Sequence, residues 1–281
     1  MKTLYISDLD GTLLNDSTEL SEYTVQTLNR LIADGMNFTV ATARSAYSAC
    51  KVLEKLNLRL PMILSGGVML YDPETRVFSN VKYIPPDASA AALAAIRRYG
   101  LPALLYALDG AEQNIYYEPA LENAVMKDFR EGRLSRYGKR FTPVSRLEEL
   151  PAGGVCHIEL MDTRPRLKPL YEELRRLGGL SGELYRNTYT ENAWIADICS
   201  AKASKGDAAL ELKKLGGFDR LVGFGDNLND LPLFAVCDER YAVANAQDEV
   251  RAAATEIIGA NIDDGVARRL DDAVALGKIC L

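Results

Sequence analysis

The chain has 281 residues, 48% of them hydrophobic and 26% charged, so it is long enough for two moderate domains and too apolar for a disordered protein. Its net charge of -6 argues against a nucleic-acid partner, because duplex binding requires a basic surface. The five cysteines are scattered and His157 is the only histidine, which speaks against a disulfide framework and most zinc sites and leaves oxygen as the main ligand for any metal.

The amino-terminal part of the chain alternates strand and helix patterns. Residues 3–7 are typical of a buried strand, and residues 25–32 carry apolar side chains at helical spacing up to Gly35, which we expect to end that helix. Residues 36–41 return to a strand pattern, and residues 61–64 form a third predicted strand. The order strand, helix, strand indicates a βαβ unit with parallel strands.

The pattern changes from about Tyr83 and changes back near Lys205. The middle region is predicted to contain helices 87–99 and 165–177 and strands 101–108, 115–117, 155–161 and 193–198. The last region is predicted to contain a helix from 205 to 215, strands 221–224 and 241–244, a helix beginning near 229 and a final helix after 265.

These elements predict an α/β fold with two parts. Residues 1–82 and 191–281 are expected to form a doubly wound, Rossmann-like core with a parallel sheet, because both ends of the chain alternate strands with helices. Residues 83–190 are expected to form an inserted mixed α/β cap domain that sets substrate specificity.

Polar side chains follow several predicted strands of the core. The first strand is followed by Asp8 and Asp10, the second by Thr42, and the strand at 221–224 by a segment that includes Asp226. In open parallel sheets the reactive groups collect beyond the carboxyl ends of the strands, so we expect these side chains to converge. Converging carboxylates repel one another unless a cation is present, and an all-oxygen ligand set selects a hard ion. The expected cofactor is therefore Mg²⁺.

The spacing of the first two aspartates suits phosphoryl transfer. Asp8 can attack phosphorus while Asp10 protonates the leaving oxygen and later deprotonates water. The hydroxyl of Thr42 can donate to a phosphoryl oxygen, and Lys205 supplies a further positive charge. These residues predict covalent catalysis with a single acid/base.

Four segments of the chain resemble the four motifs of the haloacid dehalogenase (HAD) superfamily. They are Asp8-Leu9-Asp10-Gly11-Thr12-Leu13, Ala41-Thr42-Ala43-Arg44, Ser204-Lys205-Gly206-Asp207-Ala208 and Gly225-Asp226-Asn227-Leu228-Asn229-Asp230. They occur in this order across nearly the whole chain. The insertion between the second and third motifs, with Asn245-Ala246 and Asp264-Gly265-Val266-Ala267, resembles the Cof-type phosphatases with a large α/β cap, type IIB.

The resemblance implies roles for the predicted site residues. Asp8 would be the nucleophile and a metal ligand, Asp10 the acid/base and a metal ligand through its backbone carbonyl, and Asp226 the remaining protein ligand of the metal. Asp230 would orient Lys205 or a metal-bound water.

A second set of residues would hold the phosphoryl group. The resemblance implies that the side chains of Thr42, Lys205 and Asn229 do so, together with the backbone of Leu9 and Ala43.

Three neighbouring positions bear on substrate preference. Ala43 stands where the family usually has glycine, and Ser65, before Gly66, stands where the family usually has asparagine. Neither departure removes a reacting group. Arg44 either contacts the substrate or forms a structural ion pair.

We expect the chain to hydrolyse phosphate monoesters of small metabolites, such as sugar phosphates, through a phosphorylated Asp8. A phosphomutase of the same superfamily, which returns the phosphoryl group to a sugar, is the nearest alternative. A dehalogenase needs neither Asp10 as the acid nor a magnesium cluster, so it is disfavoured. A non-enzymatic regulator that uses Asp8 as a phospho-acceptor is the remaining possibility.

The expected partner is a small phosphorylated metabolite, with no nucleic acid and no membrane. No apolar run approaches the roughly 20 residues that span a bilayer, so we expect a cytoplasmic protein that is a monomer or a weak homo-oligomer. A basic run in the cap is interpreted either as a solvated face or as a surface that faces an anionic substrate. It consists of Arg130, Arg133, Arg136, Lys139 and Arg140.

Overall fold

The computed structural model describes residues 1–109, 112–151, 153–187 and 192–277. The chain divides into two compact units, one formed by Met1–Asn80 with Ser204–Leu281 and the other by Val81–Ala203. In the described ranges, no helix is both long and apolar enough to cross a membrane.

Strands and α-helices follow one another along the described chain. The strands are β1 (Thr3–Ser7), β2 (Asn37–Val40), β3 (Met62–Leu64), β4 (Met69–Tyr71), β5 (Phe78–Ser79), β6 (Ala103–Asp109), β7 (Glu112–Tyr117), β8 (Thr142–Pro143), β9 (Val155–Asp162), β10 (Leu180–Arg186), β11 (Trp194–Ser200), β12 (Arg220–Gly225), β13 (Glu239–Val243) and β14 (Glu256–Ile258). The helices are α1 (Glu22–Ala33), α2 (Ala46–Val52), α3 (Pro86–Tyr99), α4 (Ala124–Tyr137), α5 (Arg164–Leu174), α6 (Lys205–Gly216), α7 (Leu231–Val236), α8 (Asp248–Ala253) and α9 (Gly265–Ala275).

The main sheet of the first unit is parallel and has the order β14-β13-β12-β1-β2. Because β1 lies between β12 and β2, the amino-terminal strand is held by strands from distant parts of the sequence. Buried Leu4, Ile6 and Leu221 of these strands pack in one core cluster with Leu212 of α6. The predicted α/β class, a parallel-sheet core with an inserted mixed unit, is confirmed.

A short antiparallel sheet, β3-β4-β5, belongs to the same unit. Its first strand leads into a turn of 3-10 helix at Ser65–Gly67. Gly67 has a φ of +101°, and a Cβ at this position would lie 2.1 Å from the carbonyl oxygen of Ser204. The turn therefore packs directly against the start of α6, where Lys205 lies.

The second unit is built on a six-stranded sheet with the order β10-β11-β9-β6-β7-β8. All of its pairings are antiparallel except that of β7 with β8. The apolar core of this unit joins sheet residues Leu105, Ile158 and Ile198 with Ile96 of α3 and Leu170 of α5. This unit therefore has a hydrophobic core of its own.

The unit boundaries in the structure differ from the predicted ones. The sequence placed the insertion at residues 83–190, whereas the structure places it at Val81–Ala203. The difference at the carboxyl side comes from β11. The strand pattern placed residues 193–198 in the middle region, but the predicted boundary at residue 190 left them in the core. In the structure β11 pairs with β10 along one edge and with β9 along the other, so it belongs to the sheet of the second unit.

Candidate active site

Two loops of the first unit lie side by side at the carboxyl ends of β1 and β12. These strands are parallel neighbours, and the backbone N–H of Asp8 donates to the carbonyl oxygen of Phe224 at 3.0 Å. The loop after β1 carries Asp8 and Asp10, and the loop after β12 carries Asp226 and Asp230. The parallel pairing thus gathers carboxylates that are more than two hundred residues apart along the chain.

A buried lysine connects these two loops. The Nζ atom of Lys205, the first residue of α6, lies 2.6 Å from Asp8 Oδ1 and 2.6 Å from Asp230 Oδ1. All three side chains are buried. Burial alone would lower the pKa of Lys205, but the carboxylates of Asp230 and Asp8 raise it above its ordinary value, so the amine stays charged.

The negative charges of the carboxyl groups around this lysine are disfavoured by burial and by their mutual repulsion. Burial raises the pKa of Asp8 well above its usual range; Lys205 opposes that rise, and the charges of Asp230 and Asp226 add to it. Burial also raises the pKa of Asp226 to about 6, against a hydrogen bond from Thr12. A bound cation would relieve this repulsion.

The donor set fits a hard divalent cation. Asp8, Asp226 and Asp230 each offer one carboxylate oxygen, and these oxygens lie within 4.8 Å of one another. Oxygen ligands with a net negative charge suit Mg²⁺. Asp230 is already engaged, because its Oδ2 accepts from the backbone N–H groups of Asp226 and Asn227 at 3.0 Å each. Asp8 and Asp226 are therefore the side chains left for a metal. Asp230 contacts Lys205, and its role in orienting that lysine stays a prediction.

Asp226 is fixed by the turn after Asp10. The Oγ1 atom of Thr12 donates to Asp226 Oδ1 at 2.7 Å, which leaves Oδ2 for another contact. Gly11 has a φ of +82°, and a Cβ there would lie 2.5 Å from Asp226 Oδ2. A side chain at residue 11 would therefore displace the carboxylate, which explains the glycine at this position.

Asp10 points its carboxylate at Arg44 and is not a member of the acidic cluster. Arg44 donates from Nε to Asp10 Oδ2 at 2.7 Å and from a terminal nitrogen to Asp10 Oδ1 at 2.5 Å. The arginine side chain is 9% exposed and the aspartate side chain 45%. Of the two interpretations of Arg44, the structure contains the ion pair, and its partner is the predicted acid/base.

The segment around Thr42 is tied to the Ser65 turn through the backbone. Gly66 N–H donates to the carbonyl oxygen of Thr42 at 2.9 Å, and Ser65 N–H donates to that of Arg44 at 3.0 Å. Ser65 has a φ of +51°, in the left-handed region that asparagine tolerates better than serine. Serine at residue 65 is therefore less suited to this turn than the asparagine usual in the family.

Asn229 and Leu9 complete the predicted phosphate-binding set. The Oδ1 atom of Asn229 is buried and has no hydrogen-bond partner in the part of the chain that the structure describes. Leu9 is fully buried, and its carbonyl oxygen accepts from the N–H groups of Leu13 and Leu14 at 3.0 and 2.9 Å. The loop after β1 is thus curled tightly around Leu9, and Asn229 keeps an amide with unused hydrogen-bonding capacity beside Asp230.

Three residues that contact these loops had no predicted role. Thr12 bonds to Asp226, Asn245 Nδ2 donates to the carbonyl oxygen of Gly11 at 2.7 Å, and Gln247 N–H donates to that of Asp226 at 2.9 Å. Asn245 and Gln247 follow β13, another parallel strand of the same sheet. The rule about strand ends, applied to β13 as it was to β1, would have identified them.

Comparisons with known proteins agree with the four motifs. The sequence profile of the haloacid dehalogenase-like hydrolases matches residues 5–270. The 5-amino-6-(5-phospho-D-ribitylamino)uracil phosphatase YwtE of Bacillus subtilis is 27% identical, over 98% of this chain and 99% of that protein. The pyridoxal phosphate phosphatase YbhA of Escherichia coli is 25% identical, over 93% and 94%. Among solved structures, TM0651 from Thermotoga maritima is 27% identical with a TM-score of 0.80, over 97% of each chain.

Proposed function

The chain belongs to the haloacid dehalogenase-like hydrolase family, and from this premise we propose that it is a magnesium-dependent phosphatase that acts on small phosphorylated metabolites through a phosphorylated Asp8. One observation carries the proposal. Asp8 lies in hydrogen-bonding contact with the buried Lys205 and offers an oxygen within 4.8 Å of one from Asp226. A nucleophile, a fixed positive charge and a metal-binding carboxylate therefore meet at one point.

In the proposed reaction Asp8 is the nucleophile. A carboxylate oxygen of Asp8 forms a bond to phosphorus as the bond between phosphorus and the leaving oxygen breaks, and Asp10 transfers its proton to that oxygen. Asp10 then takes a proton from water, whose oxygen attacks phosphorus and releases phosphate and free Asp8. Because Arg44 holds both carboxylate oxygens of Asp10, this ion pair must open before Asp10 can carry a proton to the substrate.

Residues around Asp8 are assigned to binding the phosphoryl group. Lys205 and Thr42 are buried side chains with polar hydrogens, and Asn229 would donate from the nitrogen of its side-chain amide. The backbone N–H groups of Leu9 and Ala43 are assigned to the same phosphoryl oxygens. Donors that are already fixed by the fold stabilise the developing charge without reorganisation.

Mg²⁺ is assigned to Asp8, Asp226 and the backbone carbonyl of Asp10. When bound, it neutralises charge on the transferring phosphoryl group. Asp230 keeps its place by bonding to Lys205 and to the backbone of the loop after β12, so it supports the site without taking part in the reaction. Ser65 and Gly66 support the Thr42 segment through their backbone N–H groups, which donate to the carbonyl oxygens of Arg44 and Thr42.

Substrate choice is assigned to the second unit, Val81–Ala203, because all the assigned reacting groups lie in the first. The relatives differ in this respect: the name of one gives a phosphorylated ribitylaminouracil as its substrate and that of the other gives pyridoxal phosphate. We therefore propose the class of small phosphate monoesters, sugar phosphates included, and no single compound.

The proposal is tested by phosphate release from an aryl phosphate and a panel of phosphorylated metabolites, with Mg²⁺ present or chelated and no bisphosphate added. We expect turnover that depends on Mg²⁺ and a loss of at least about 10³-fold in Asp8→Asn. Asp34→Asn, a change of an exposed aspartate on the surface of the same unit, serves as the control and should match the wild type. Formation of an isomeric sugar phosphate without net phosphate release, seen only when a bisphosphate is added in a parallel assay, would indicate a mutase instead.

A covalent readout tests the nucleophile independently of steady-state rates. In Asp10→Asn, an aryl phosphate with a good leaving group should still transfer its phosphoryl group, while the step that needs a base slows. Intact-protein mass spectrometry after an acid quench should then detect the added mass of one phosphoryl group. An Asp8→Asn variant with near-native turnover would contradict the assignment of Asp8.

A further inference from the structure

Three loops of the first unit meet at the carboxyl ends of its parallel strands. They follow β1, β12 and β13, and β12 separates the other two strands in the sheet. A residue after β13 must therefore reach across the loop of β12 to touch that of β1. Asn245 does so, with its Nδ2 atom 2.7 Å from the carbonyl oxygen of Gly11.

We infer that Asn245 is a positioning residue of the proposed site, one that fixes the turn at Gly11 and thereby orients Asp226 through Thr12. The inference rests on the proposed function, and it assigns Asn245 no contact with substrate. Asn245 acts on the site through two hydrogen bonds, its own to the backbone of Gly11 and that of the Thr12 hydroxyl to Asp226.

The first step runs from Asn245 to Asp226. Gly11 lies between Asp10 and Thr12 in the chain, and the hydroxyl of Thr12 holds Asp226 Oδ1 at 2.7 Å. The turn packs tightly against Asp226 at this point, because a Cβ on Gly11 would lie only 2.5 Å from Asp226 Oδ2. A rotation of the Gly11 carbonyl therefore moves the hydroxyl that orients the carboxylate.

The opposite end of the Asn245 amide is also anchored. Its Oδ1 atom accepts from the backbone N–H of Asn261 at 3.0 Å. The buried Asn261 in turn donates from Nδ2 to the carbonyl oxygen of Leu14 at 3.0 Å. Two asparagines thus hold the loop after β1 at Gly11 and at Leu14, and Asn245 is the one that reaches the catalytic turn.

The same segment after β13 holds the loop after β12. Gln247 donates from its backbone N–H to the carbonyl oxygen of Asp226 at 2.9 Å and from Nε2 to Asn227 Oδ1 at 2.6 Å. Residues 245–247 therefore tie both catalytic loops to one short stretch of chain. The position of Asp226 relative to Asp8 depends on that stretch.

Asn245 itself is exposed, so its effect on the site can be measured apart from any effect on the stability of the fold. Hydrogen bonds of exposed side chains contribute little to stability, whereas a small displacement of catalytic groups can slow a reaction by orders of magnitude. Substituting Asn245 should therefore leave the fold intact and still impair the site.

The test compares Asn245→Ala and Asn245→Asp with Asn29→Ala and Asn29→Asp. Asn29 is a matched control because its amide bridges two backbone groups in the same manner, donating to the carbonyl oxygen of Lys55 at 2.9 Å and accepting from Asn57 N–H at 2.8 Å. The aspartate variants keep an acceptor oxygen and replace the donor with a second, negatively charged acceptor oxygen. Measurements are kcat and KM on an aryl phosphate, Mg²⁺ binding by calorimetry, and thermal unfolding.

We expect both Asn245 variants to lose about tenfold or more in kcat with KM changed less, and Asn245→Ala to bind Mg²⁺ about tenfold more weakly. Both Asn29 variants should match the wild type in all of these. Equal kcat and Mg²⁺ binding in the Asn245→Ala and Asn29→Ala variants would overturn the inference while leaving the proposed function standing. If the wild type releases no phosphate, the proposed function fails, and the Mg²⁺ titration alone then decides whether Asn245 positions the acidic cluster; a wild type that binds no Mg²⁺ overturns the inference as well.

Discussion

Lys205 is a buried cation whose charge is balanced by Asp8 and Asp230. Its Nζ atom lies 2.6 Å from each carboxylate, and the side chain is 1% exposed. Removing one partner from such a group leaves the others buried without compensation, which costs far more than the loss of an exposed ion pair. The lysine is therefore expected to hold the loops after β1 and β12 together, in addition to its proposed role in binding phosphate.

Lys205→Met should lower the free energy of unfolding by about 3 kcal/mol in the absence of Mg²⁺, as measured by urea denaturation. Lys51→Met removes a lysine from an exposed pair with Glu54, in which both side chains are about half exposed (54% and 53%). It should change the free energy of unfolding by less than about 0.5 kcal/mol. Equal losses in the two variants would mean that the buried contacts of Lys205 contribute nothing special to stability.

The sequence predicted that the side chains of the candidate site lie close together, but not how they pair. Asp8, Asp226 and Lys205 could be grouped from the sequence because each lies at the end or start of an element whose place in a parallel α/β sheet is fixed. The partner of the Asp10 carboxylate depends on side-chain rotamers in a loop, which no periodicity encodes. The same holds for the bond between Thr12 and Asp226.

Within the second unit, one face of the sheet carries a buried polar cluster. Lys139, two residues after α4, donates from Nζ to the hydroxyl of Tyr106 on β6 at 3.0 Å, and that hydroxyl donates to Glu159 on β9 at 2.5 Å. On the neighbouring strands, His157 Nε2 lies 3.2 Å from Asp197 Oδ1. Burial lowers the pKa of Lys139 to about 8, despite the opposing charge of Glu159.

The lowered pKa of Lys139 predicts how stability depends on pH. Between about pH 8 and the ordinary lysine value of 10.5, the unfolded chain keeps the proton that the folded chain has released, so stability rises with pH. The free energy of unfolding of the wild type, relative to that of Lys139→Met, should rise by up to about 3 kcal/mol across this window. It is measured by denaturation at several pH values. Lys127→Met, a change of an exposed lysine of α4, should follow the wild type at every pH, and a flat difference for Lys139→Met would contradict the burial of a charge there.

Two elements of the second unit had no sequence signal. Every residue of α4 is described, and Met126 is the one that is buried. The helix therefore has no apolar stripe that the sequence could show. Among the strands that the structure describes, β10 pairs only with β11, and it alternates buried or half-buried residues with exposed ones over just seven positions. The basic run from Arg130 to Arg140 also divides: Arg130 bonds to Glu122 at 2.7 Å, whereas Lys139 is buried in the polar cluster.

At the scale of the whole chain, the pattern predicted two units and a change near Lys205, but the predicted boundary at residue 190 separated the strand at 193–198 from the middle region. The strand at 193–198 was identified from its apolar residues, yet nothing in those residues says which sheet they join. The structure pairs Trp194 with Arg186 and with Asp162. Strand partners are set by contacts distant in sequence, and a single sequence carries no record of them.

This boundary leads to a prediction about independent folding. A fragment of residues 81–203 contains the whole six-stranded sheet, helices α3 to α5 and the apolar core that joins them. It should unfold cooperatively in urea with its native circular dichroism, and it should release no phosphate, because the assigned catalytic groups lie in the other unit.

The matched fragment of residues 81–190 lacks β11 and should not fold. β11 lies between β9 and β10, so its loss leaves β10 without a partner strand and exposes one edge of β9, and it removes Ile198 from the core. The free energy lost by opening a sheet edge and removing a core strand is expected to exceed the free energy of unfolding that a domain of this size usually has. Cooperative unfolding of both fragments would mean that β11 is dispensable to the second unit; if neither folds, the unit depends on the rest of the chain for its stability.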